Sequence, residues 1–346
     1  MKAFFQNILR FLAFPVLVIL ITVVPYIKAD PYMDFGKKEN YSWWYHFQRL
    51  GDLSTKKLLH SNHTYNSFIL GSSRSISLYA CYLNKIFPNS SFFHYANWGD
   101  PIEGIQNKLE LLDTLGFAID NVVIYFDADG TFIGAGKCGD SDHYLITKQT
   151  RNKAIQDHFK SFYKNLDSDK IKILLGHKKI EGQPYWTSDP VTNDARHQCN
   201  NPHILSDYSK IDRSDSLIAV IDSMIGTGYL YDRPGEQQYY KDQISNSEKG
   251  MLYKIKSILD KHATNYYVVI TPLYDQKKFS LKDQAILHEV FGERLFDFSG
   301  INRFTNDKYN YPDRMHFQPY ISKYMIDSIV NLDTDIVTLG EKDTIE

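Results

Sequence analysis

The amino-acid sequence predicts an α/β fold with a parallel sheet, preceded by one membrane-spanning helix. Three observations support this prediction. Short apolar segments rich in Val, Ile, Phe and Tyr alternate with longer amphipathic segments along most of the chain. Strands that are apolar at nearly every position are typical of a parallel sheet covered by helices on both faces. A long apolar run near the N-terminus lies outside this alternation.

The N-terminal apolar run covers residues 11–27 and is interrupted only by Thr22 and two prolines. Its length is close to the roughly 17 residues of the shortest membrane-spanning helices. Lys2 and Arg10 precede it, and basic flanks stay in the cytoplasm. We therefore expect residues 1–30 to be a cytoplasmic stub and anchor, with the remaining chain outside the cytoplasmic membrane.

A cleaved signal peptide is the alternative interpretation of the same run. The segment Ile27-Lys28-Ala29 matches the small-x-small cleavage pattern poorly, and the run is long for a signal. We therefore expect an anchor that is not cleaved. The protein would be a single-pass protein of the inner membrane with a periplasmic domain.

The strands and helices after the anchor are predicted from residue type and from the spacing of apolar residues. Residues 31–66 form a juxtamembrane linker with a helix over 43–59, and the α/β domain covers 67–332. Predicted strands are runs of β-branched and aromatic residues, such as Asn-Val-Val-Ile-Tyr-Phe. Predicted helices carry apolar residues three or four positions apart. In order, the predicted elements are strand 67–70, helix 76–87, strand 91–95, helix 101–115, strand 121–126, strand 266–270, strand 295–298 and helix 319–332.

Residues 132–240 break the alternation of strands and helices. This stretch is rich in Asp, Asn, Gly, Lys and His, with one helical segment over 148–163. We expect it to be an insertion over the carboxyl edge of the sheet, where sites of open parallel sheets form. Residues 333–346 are a C-terminal tail.

Composition narrows the classes of function and leaves two questions open. The net charge of −2 is spread over mixed signs, which argues against nucleic-acid binding. The 25 Tyr and 21 Phe residues fit either an aromatic core or a surface that stacks on sugars. Cys81 falls in a predicted helix as a small apolar residue. Cys138 and Cys199 would form a plausible bridge if their region is extracytoplasmic.

A serine follows the first predicted strand, in the segment Gly71-Ser72-Ser73. Ser73 at a strand end is a candidate nucleophile. The alternative is that Ser72 or Ser73 caps the helix that begins near Ile76. A nucleophile elbow of the Gly-x-Ser-x-Gly type is absent, because Ser75 stands where that motif has its second glycine.

The second predicted strand ends in Asn97-Trp98-Gly99-Asp100. A glycine at this place lets a backbone N–H approach a ligand closely. The alternative is an ordinary turn in which Asp100 caps the helix that starts at Pro101.

A third segment, Asp313-Arg314-Met315-His316, precedes the last predicted helix. An Asp three residues before a His can orient that His as a general base. A local turn contact explains the same spacing.

The three segments, taken in this order, resemble the SGNH (GDSL-type) hydrolase superfamily. The similarity is greatest to its membrane-anchored branch, the O-acyltransferases that modify envelope polysaccharides. It covers residues 67–130 and 264–331. The resemblance implies a three-layer α/β/α sandwich with a flavodoxin-like sheet. It also implies a nucleophile at Ser73, a base at His316 and an orienting Asp313.

The resemblance also implies the remaining features of the site. The backbone N–H groups of Ser73 and Gly99 would face the developing oxyanion, and Asn97 would border the substrate. Asp129 stands where the family has an oxyanion-hole Asn, and an ionised carboxylate cannot donate a hydrogen bond. The expected activity is acyl transfer, such as O-acetylation, or ester hydrolysis on an envelope polysaccharide. It needs no cofactor or metal, and a polytopic membrane protein could supply the acyl group.

Two other classes of function stay open from the sequence. Residues 122–131 resemble the first motif of haloacid-dehalogenase-type phosphatases. Asp127 would accept the phosphoryl group, Asp129 would act as acid and base with Mg²⁺, and Thr271 would supply a second motif. A non-catalytic scaffold that binds glycan or a partner protein is the other class. His60 and His63 have metal-ligand spacing, and 177–179 is a short basic run; both are more simply solvated surface.

Overall fold

The computed structural model describes residues 2–30, 34–35, 50–133, 148–177, 189, 191–194 and 215–330. Its first element is helix α1, Lys2–Ala29. Within it, Phe11–Ala29 is the one described segment long and apolar enough to cross a membrane, and only 6% of its most apolar window is buried. The structure therefore supports an N-terminal membrane anchor or signal-like helix in front of a folded domain.

Five parallel strands form the central sheet of this domain. Their spatial order is β2-β1-β3-β5-β7, and every neighbouring pair is parallel. Counted by themselves these strands run 2-1-3-4-5, which is a doubly wound order. The strands are β1 Ser67–Gly71, β2 Phe92–Ala96, β3 Asn121–Phe126, β5 Asn265–Ile270 and β7 Leu295–Asp297. A small second sheet pairs β4, Gln238–Tyr239, with β6, Lys277–Lys278.

Ten helices follow α1 in the described part of the chain. Pro101 precedes α4 and Pro319 opens α11, both favourable places for a residue without an N–H. The helices are α2 Leu50–His60, α3 Ala80–Ile86, α4 Ile102–Thr114, α5 Lys148–Lys164, α6 Ser168–Leu174, α7 Asp215–Gly226, α8 Asn246–Lys261, α9 Leu281–Phe291, α10 Arg303–Asn306 and α11 Pro319–Ile329.

The two faces of the sheet enter two separate hydrophobic cores. Along β3, Val122 and Ile124 belong to one core and Val123 and Tyr125 to the other. This alternation follows from the two-residue period of a strand. The first core also receives side chains from α4, α8 and α9, and the second from α3, α7 and α11. Both faces are apolar because both are covered.

One predicted helix is divided in the structure. In place of a helix over 76–87, a 3-10 turn covers Ser73–Ser77 and α3 begins only at Ala80. The division has a local cause, because Ser72 caps the short turn and Leu78 returns to extended backbone. The strand predictions are confirmed to within a residue or two at each end.

Cys81 packs, partly buried, against the second hydrophobic core, as predicted for a small apolar residue of a helix. It is also disulfide-bonded, which the sequence did not predict. Cys138 and Cys199 lie outside the described residues. The chain has no fourth cysteine, so a bridge between those two is incompatible with an intrachain bond to Cys81.

The described parts of the stretch 132–240 lie in different places. Residues 191–194 lie along the edge strand β2, where His94 N–H donates to Thr192 O at 2.8 Å. Asn193 Nδ2 donates to His94 O at 2.8 Å. This contact covers a sheet edge that would otherwise expose backbone hydrogen-bonding groups. Helix α5 instead packs against the end of α1.

A buried polar cluster joins α1 to the domain. Asp34 accepts hydrogen bonds from Tyr26 of α1, from Lys56 of α2 at 2.8 Å and from His158 of α5 at 2.9 Å. The side chains of Asp34, Lys56 and His158 are at most 1% exposed. Burial raises the pKa of Asp34, but hydrogen bonding from His158 and the charge of Lys56 outweigh it and lower the pKa to about 2.

Candidate active site

The nucleophile turn begins where β1 ends. Gly71 has φ +145°, and a Cβ there would lie 2.9 Å from Tyr125 Cβ and 3.1 Å from Tyr125 O. Only glycine fits where β1 ends so close to β3. Ser72 then caps the 3-10 turn, with its Oγ accepting from Arg74 N–H at 3.1 Å. The capping role falls on Ser72, which leaves the Ser73 side chain for other contacts.

Ser73 meets the base that the sequence predicts. Ser73 Oγ lies 2.9 Å from His316 Nε2, although 243 positions separate the two residues. On the other side of the ring, His316 Nδ1 lies 2.9 Å from Asp313 Oδ2. With the proton on Nδ1 and donated to Asp313, Nε2 is left as the acceptor for the serine hydroxyl. The three side chains thus form a continuous Ser-His-Asp chain.

Asp313 contacts both the ring of His316 and the backbone of a local turn, which were the two alternatives for an Asp three residues before a His. Its Oδ1 accepts from Met315 N–H at 2.6 Å and from His316 N–H at 2.8 Å, which forms the local turn. Burial raises the pKa of Asp313, but hydrogen bonding and the charge of His316 outweigh it, so the pKa is lowered. The carboxylate therefore stays ionised at neutral pH and can stabilise a protonated His316.

The triad is open to solvent on one side. The side chains of His316 and Asp313 are 36% and 37% exposed, and Ser73 is half-buried. The candidate triad is therefore partly exposed to solvent and not enclosed in the core.

Arg74 connects the turn at Ser73 to the loop that carries Asp313 and His316, here called the base loop. The sequence alone did not single out Arg74. Its guanidinium donates in a fork to Asp129, at 2.6 and 2.7 Å. Its Nε donates to Met315 O at 2.5 Å. Burial lowers the pKa of Arg74, but Asp127 and Asp129 raise it more, so the group stays charged. The fork fixes the orientation of the guanidinium between two loops.

This geometry places Asp129 in contact with Arg74. Both of its oxygens accept from the guanidinium, which gives the carboxylate a structural partner at this position. An Asp beside Arg is an ion pair, whereas Asn could not balance the buried charge. The prediction that Asp129 borders the oxyanion stays a prediction.

Asp127 ties together three strand ends. Its oxygens accept from Ser72 Oγ after β1 and from Thr271 Oγ1 after β5, each at 2.5 Å. Its own N–H donates to Thr131 Oγ1 at 2.8 Å. Asp127 is 1% exposed, whereas a phosphoryl-accepting Asp must reach its substrate. The described residues contain no group of three or more His, Cys, Asp or Glu that could hold a metal ion. These contacts favour a structural role for Asp127.

The segment after β2 lies at the same edge of the sheet. Asn97 N–H donates to Gly71 O at 3.2 Å, which brings the segment beside the nucleophile turn. Gly99 has φ +55° and is exposed. Asp100 does not cap α4 through its side chain; its Oδ2 accepts from Lys108 Nζ at 2.7 Å. Backbone N–H groups at Ser73 and Gly99 remain the predicted oxyanion donors.

A second Ser-His-Asp chain lies beneath the first. Ser75 Oγ is 3.2 Å from His94 Nε2, and His94 Nδ1 is 3.1 Å from Asp194 Oδ1. All three residues are at most 1% exposed, and Ser75 Oγ donates to Ser72 O at 2.7 Å. Asp194 also accepts from the first N–H of α3, at Ala80. This chain is closed to substrate and holds residues 191–194 against the sheet.

An exposed aromatic patch borders the base loop. Arg314 stacks on Tyr229, 4.5 Å from the ring centre, and lies 6.0 Å from the ring of Tyr231. Tyr229, Tyr231 and Met315 are 40%, 39% and 60% exposed. Exposed aromatic faces beside a guanidinium, close in sequence to His316, can contact a ligand with both polar and apolar surfaces.

The remaining sequence candidates lie away from this site. His60 and His63 are both exposed, and neither belongs to a metal-binding group among the described residues. His177 is exposed, and the two lysines after it lie outside the described residues.

No protein-family model matches the chain, and no curated protein matches it with significance. The assignment of a function therefore depends on the geometry of the site.

Proposed function

We propose that this protein is a serine-dependent acyltransferase or esterase acting on a cell-envelope glycan. One observation carries the proposal: Ser73 Oγ, His316 and Asp313 form an accessible chain of contacts of 2.9 Å each. The turn that carries Ser73 and the loop that carries Asp313 and His316 are far apart in sequence. They meet at the carboxyl edge of a doubly wound sheet, where ligands of such folds bind.

The proposed reaction has two halves. His316 Nε2 takes the proton of Ser73 while Ser73 Oγ attacks an acyl carbonyl, and the N–H groups of Ser73 and Gly99 stabilise the oxyanion. The leaving group departs with the proton from His316, and an acyl-Ser73 remains. A glycan hydroxyl, or water in hydrolysis, then loses its proton to His316 and attacks the acyl carbonyl. The bond between the acyl carbon and Ser73 Oγ breaks, and His316 returns the proton to Ser73.

The proposed location is the outer face of the cytoplasmic membrane. Tyr26 and Ala29 of α1 are buried against the domain, which supports an anchor that stays attached rather than a cleaved signal. Lys2 and Arg10 place the short N-terminus in the cytoplasm. The disulfide of Cys81 fits an oxidising compartment. A polytopic acyl donor in the same membrane is the proposed partner.

The proposed architecture is a three-layer α/β/α sandwich of the SGNH type. The two cores on opposite faces of the sheet support this arrangement. In this proposal Asp129 pairs with Arg74 and does not donate to the oxyanion, so the backbone N–H groups of Ser73 and Gly99 are the proposed donors.

Labelling with a fluorophosphonate tests the proposal. The reagent phosphonylates an activated serine, and the two Ser-His-Asp chains give a matched pair of variants. Ser73→Ala should abolish labelling and glycan acylation, whereas Ser75→Ala should retain labelling because Ser75 is closed to the reagent. Retention of acylation in Ser73→Ala would refute the proposal. Activity lost only in Asp127→Asn and dependent on Mg²⁺ would indicate a phosphatase instead.

A further inference from the structure

Helix α5 lies antiparallel to the last two turns of α1. Phe159 and Phe162 pack edge-on against Tyr26, at 5.3 and 5.4 Å between ring centres. One turn further along α5, Tyr163 OH donates to Thr22 O. The C-terminal end of α5 therefore points back along α1, in the direction of the membrane.

The depth of this contact follows from the length of α1. A hydrocarbon core of about 30 Å takes about 20 helical residues. Counted back from Ala29, this number ends at Arg10, so the only charges in the span are Arg10 at its inner end and Lys28 next to its outer end. Counted back from Ile21, it places Arg10 near the centre of the bilayer, which is unfavourable. The outer boundary of the hydrocarbon core therefore falls between residues 22 and 29, beside the part of α5 that contacts them.

Helix α6 continues from this point and exposes apolar side chains. Leu166 packs beside Phe162 at the turn between the helices. Ile171 and Leu175 are 42% and 65% exposed. Leu175 N–H donates to Ile171 O at 3.0 Å, so the two side chains lie on one face of the last turn.

The α5–α6 segment, residues 148–177, is also basic. Residues 148–177 contain seven Lys or Arg and three Asp, a net charge of +4, whereas the whole chain carries −2. Lys170 and Lys172 lie 2.7 and 3.8 Å from Asp167 and Asp169. Three of the seven basic residues, at 148, 151 and 153, lie at the end of α5 that points away from the membrane, so residues 157–177 carry a net charge of +1. The attraction to headgroups therefore comes from individual side chains near the membrane, such as Lys164, Lys170 and Lys172. Basic amphipathic segments of this kind lie in the interfacial layer of anionic membranes.

We propose that the α5–α6 segment lies in the outer interfacial layer of the membrane. Ile171 and Leu175 enter the boundary between headgroups and acyl chains, Tyr163 lies at the headgroup level, and the basic side chains contact anionic phospholipid headgroups. This inference depends on the retained anchor of the proposed function, but not on the chemistry at Ser73.

Fluorescence quenching in nanodiscs of phosphatidylglycerol and phosphatidylcholine tests the proposal on the full chain. A fluorescent amino acid is placed at position 175, at Val16 in the anchor or at Leu281 on α9, and nitroxide-labelled lipids are the quencher. Leu281 is the matched control because it is 70% exposed and lies on a helix of the α/β domain. Quenching at 175 should be comparable with that at Val16 and several times that at Leu281.

Each outcome decides one part of the inference. Quenching at Val16 without quenching at 175 would overturn the inference and point to a protein partner for Ile171 and Leu175. No quenching at Val16 would refute the anchor and the inference with it, while leaving fluorophosphonate labelling of Ser73 untouched. Added salt should reduce quenching at position 175 and not at Val16. Quenching at 175 that does not change with salt would show that the charges do not contribute to membrane contact.

Discussion

Arg74 is the side chain on which the geometry of the triad depends most. It directly follows Ser73, and it holds the carbonyl of Met315, which directly precedes His316. A guanidinium can make the fork to Asp129 and the contact to Met315 at the same time, whereas an ammonium cannot form both in a fixed plane. The distance between Ser73 Oγ and His316 Nε2 is therefore set partly by a residue that touches neither atom.

Arg74→Lys should keep the buried charge but lose the fork. We expect kcat to fall by roughly 10- to 100-fold with little change in KM, because small displacements of reacting groups have effects of this size. Steady-state kinetics with an ester substrate measure both parameters. Arg314→Lys, in the base loop but outside the fork, should keep kcat within a few-fold. An unchanged kcat in Arg74→Lys would show that the contacts of Arg74 with Asp129 and Met315 do not position the triad.

The elements of the site were predictable to different degrees. Ser73, Asp313 and His316 stand in short segments of recognisable spacing, and the structure brings them together. The fork between Arg74 and Asp129 joins residues 55 positions apart, and no local pattern signals it. The same holds for Asp194, which reaches His94 across the insertion.

At the scale of elements, close approach explains the end of β1. Gly71 must allow both a positive φ and the backbone of β3 at van der Waals distance. Gly99 also has a positive φ, but its missing Cβ would meet open space. The two glycines therefore separate the effect of crowding from the effect of backbone conformation.

Gly71→Ala should destabilise the protein by about 2–4 kcal/mol, because strain in the backbone is added to a clash with Tyr125. Gly99→Ala should cost only about 1 kcal/mol, the strain of a left-handed alanine. Urea unfolding of both variants, followed by circular dichroism, gives the comparison. Equal losses in the two variants would show that contact with Tyr125 is unimportant.

Strands were easier to predict than helices. Every strand of the central sheet is a short apolar run, and each was placed within one or two residues. Helices α8 and α9 were not singled out, although Ser245 and Glu248 form a capping box that marks the start of α8. The helix predicted over 76–87 is divided because the cap formed by Ser72 favours a short 3-10 turn over a continuous helix.

At the scale of the whole molecule, the buried cluster of Asp34, Lys56 and His158 joins helix α1 to the domain through the hydrogen bond from Tyr26 to Asp34. Asp34→Asn removes the charge that balances Lys56 in a buried place. Loss of one partner of a buried pair costs about 3–5 kcal/mol. Thermal unfolding in detergent should show a clear loss of stability. Asp157→Asn, a half-exposed partner of Lys160 on the same helix, should change stability by less than about 1 kcal/mol.

The same cluster predicts how stability depends on pH. The pKa of Asp34 is lowered to about 2 in the folded protein, against about 3.9 in an unfolded chain. The contribution of ionised Asp34 to the free energy of unfolding is complete above about pH 4 and is lost as the pH falls through about 2. Melting temperatures between pH 5 and pH 2 should therefore fall less steeply in Asp34→Asn than in the parent protein. Parallel curves would contradict the lowered pKa.

The disulfide of Cys81 links α3 to another part of the chain. Thiol labelling of unfolded protein should find one free thiol without reductant and three with it, since the chain has three cysteines. Peptide mapping should place Cys81 in the bridged pair. Reduction should lower the free energy of unfolding by about 2–4 kcal/mol. Three free thiols before reduction would rule out the bridge.

The rigid join between α1 and the domain has a consequence for where the protein can work. A flexible tether would let the nucleophile sample a deep layer of the envelope, with a reach that grows with its length. Here Tyr26, Asp34 and Lys56 leave the domain no such freedom. With the proposed anchoring and chemistry, Ser73 would be carried at one fixed height above the lipid, so the protein would select acceptors by their distance from the membrane before it selects them by their chemistry.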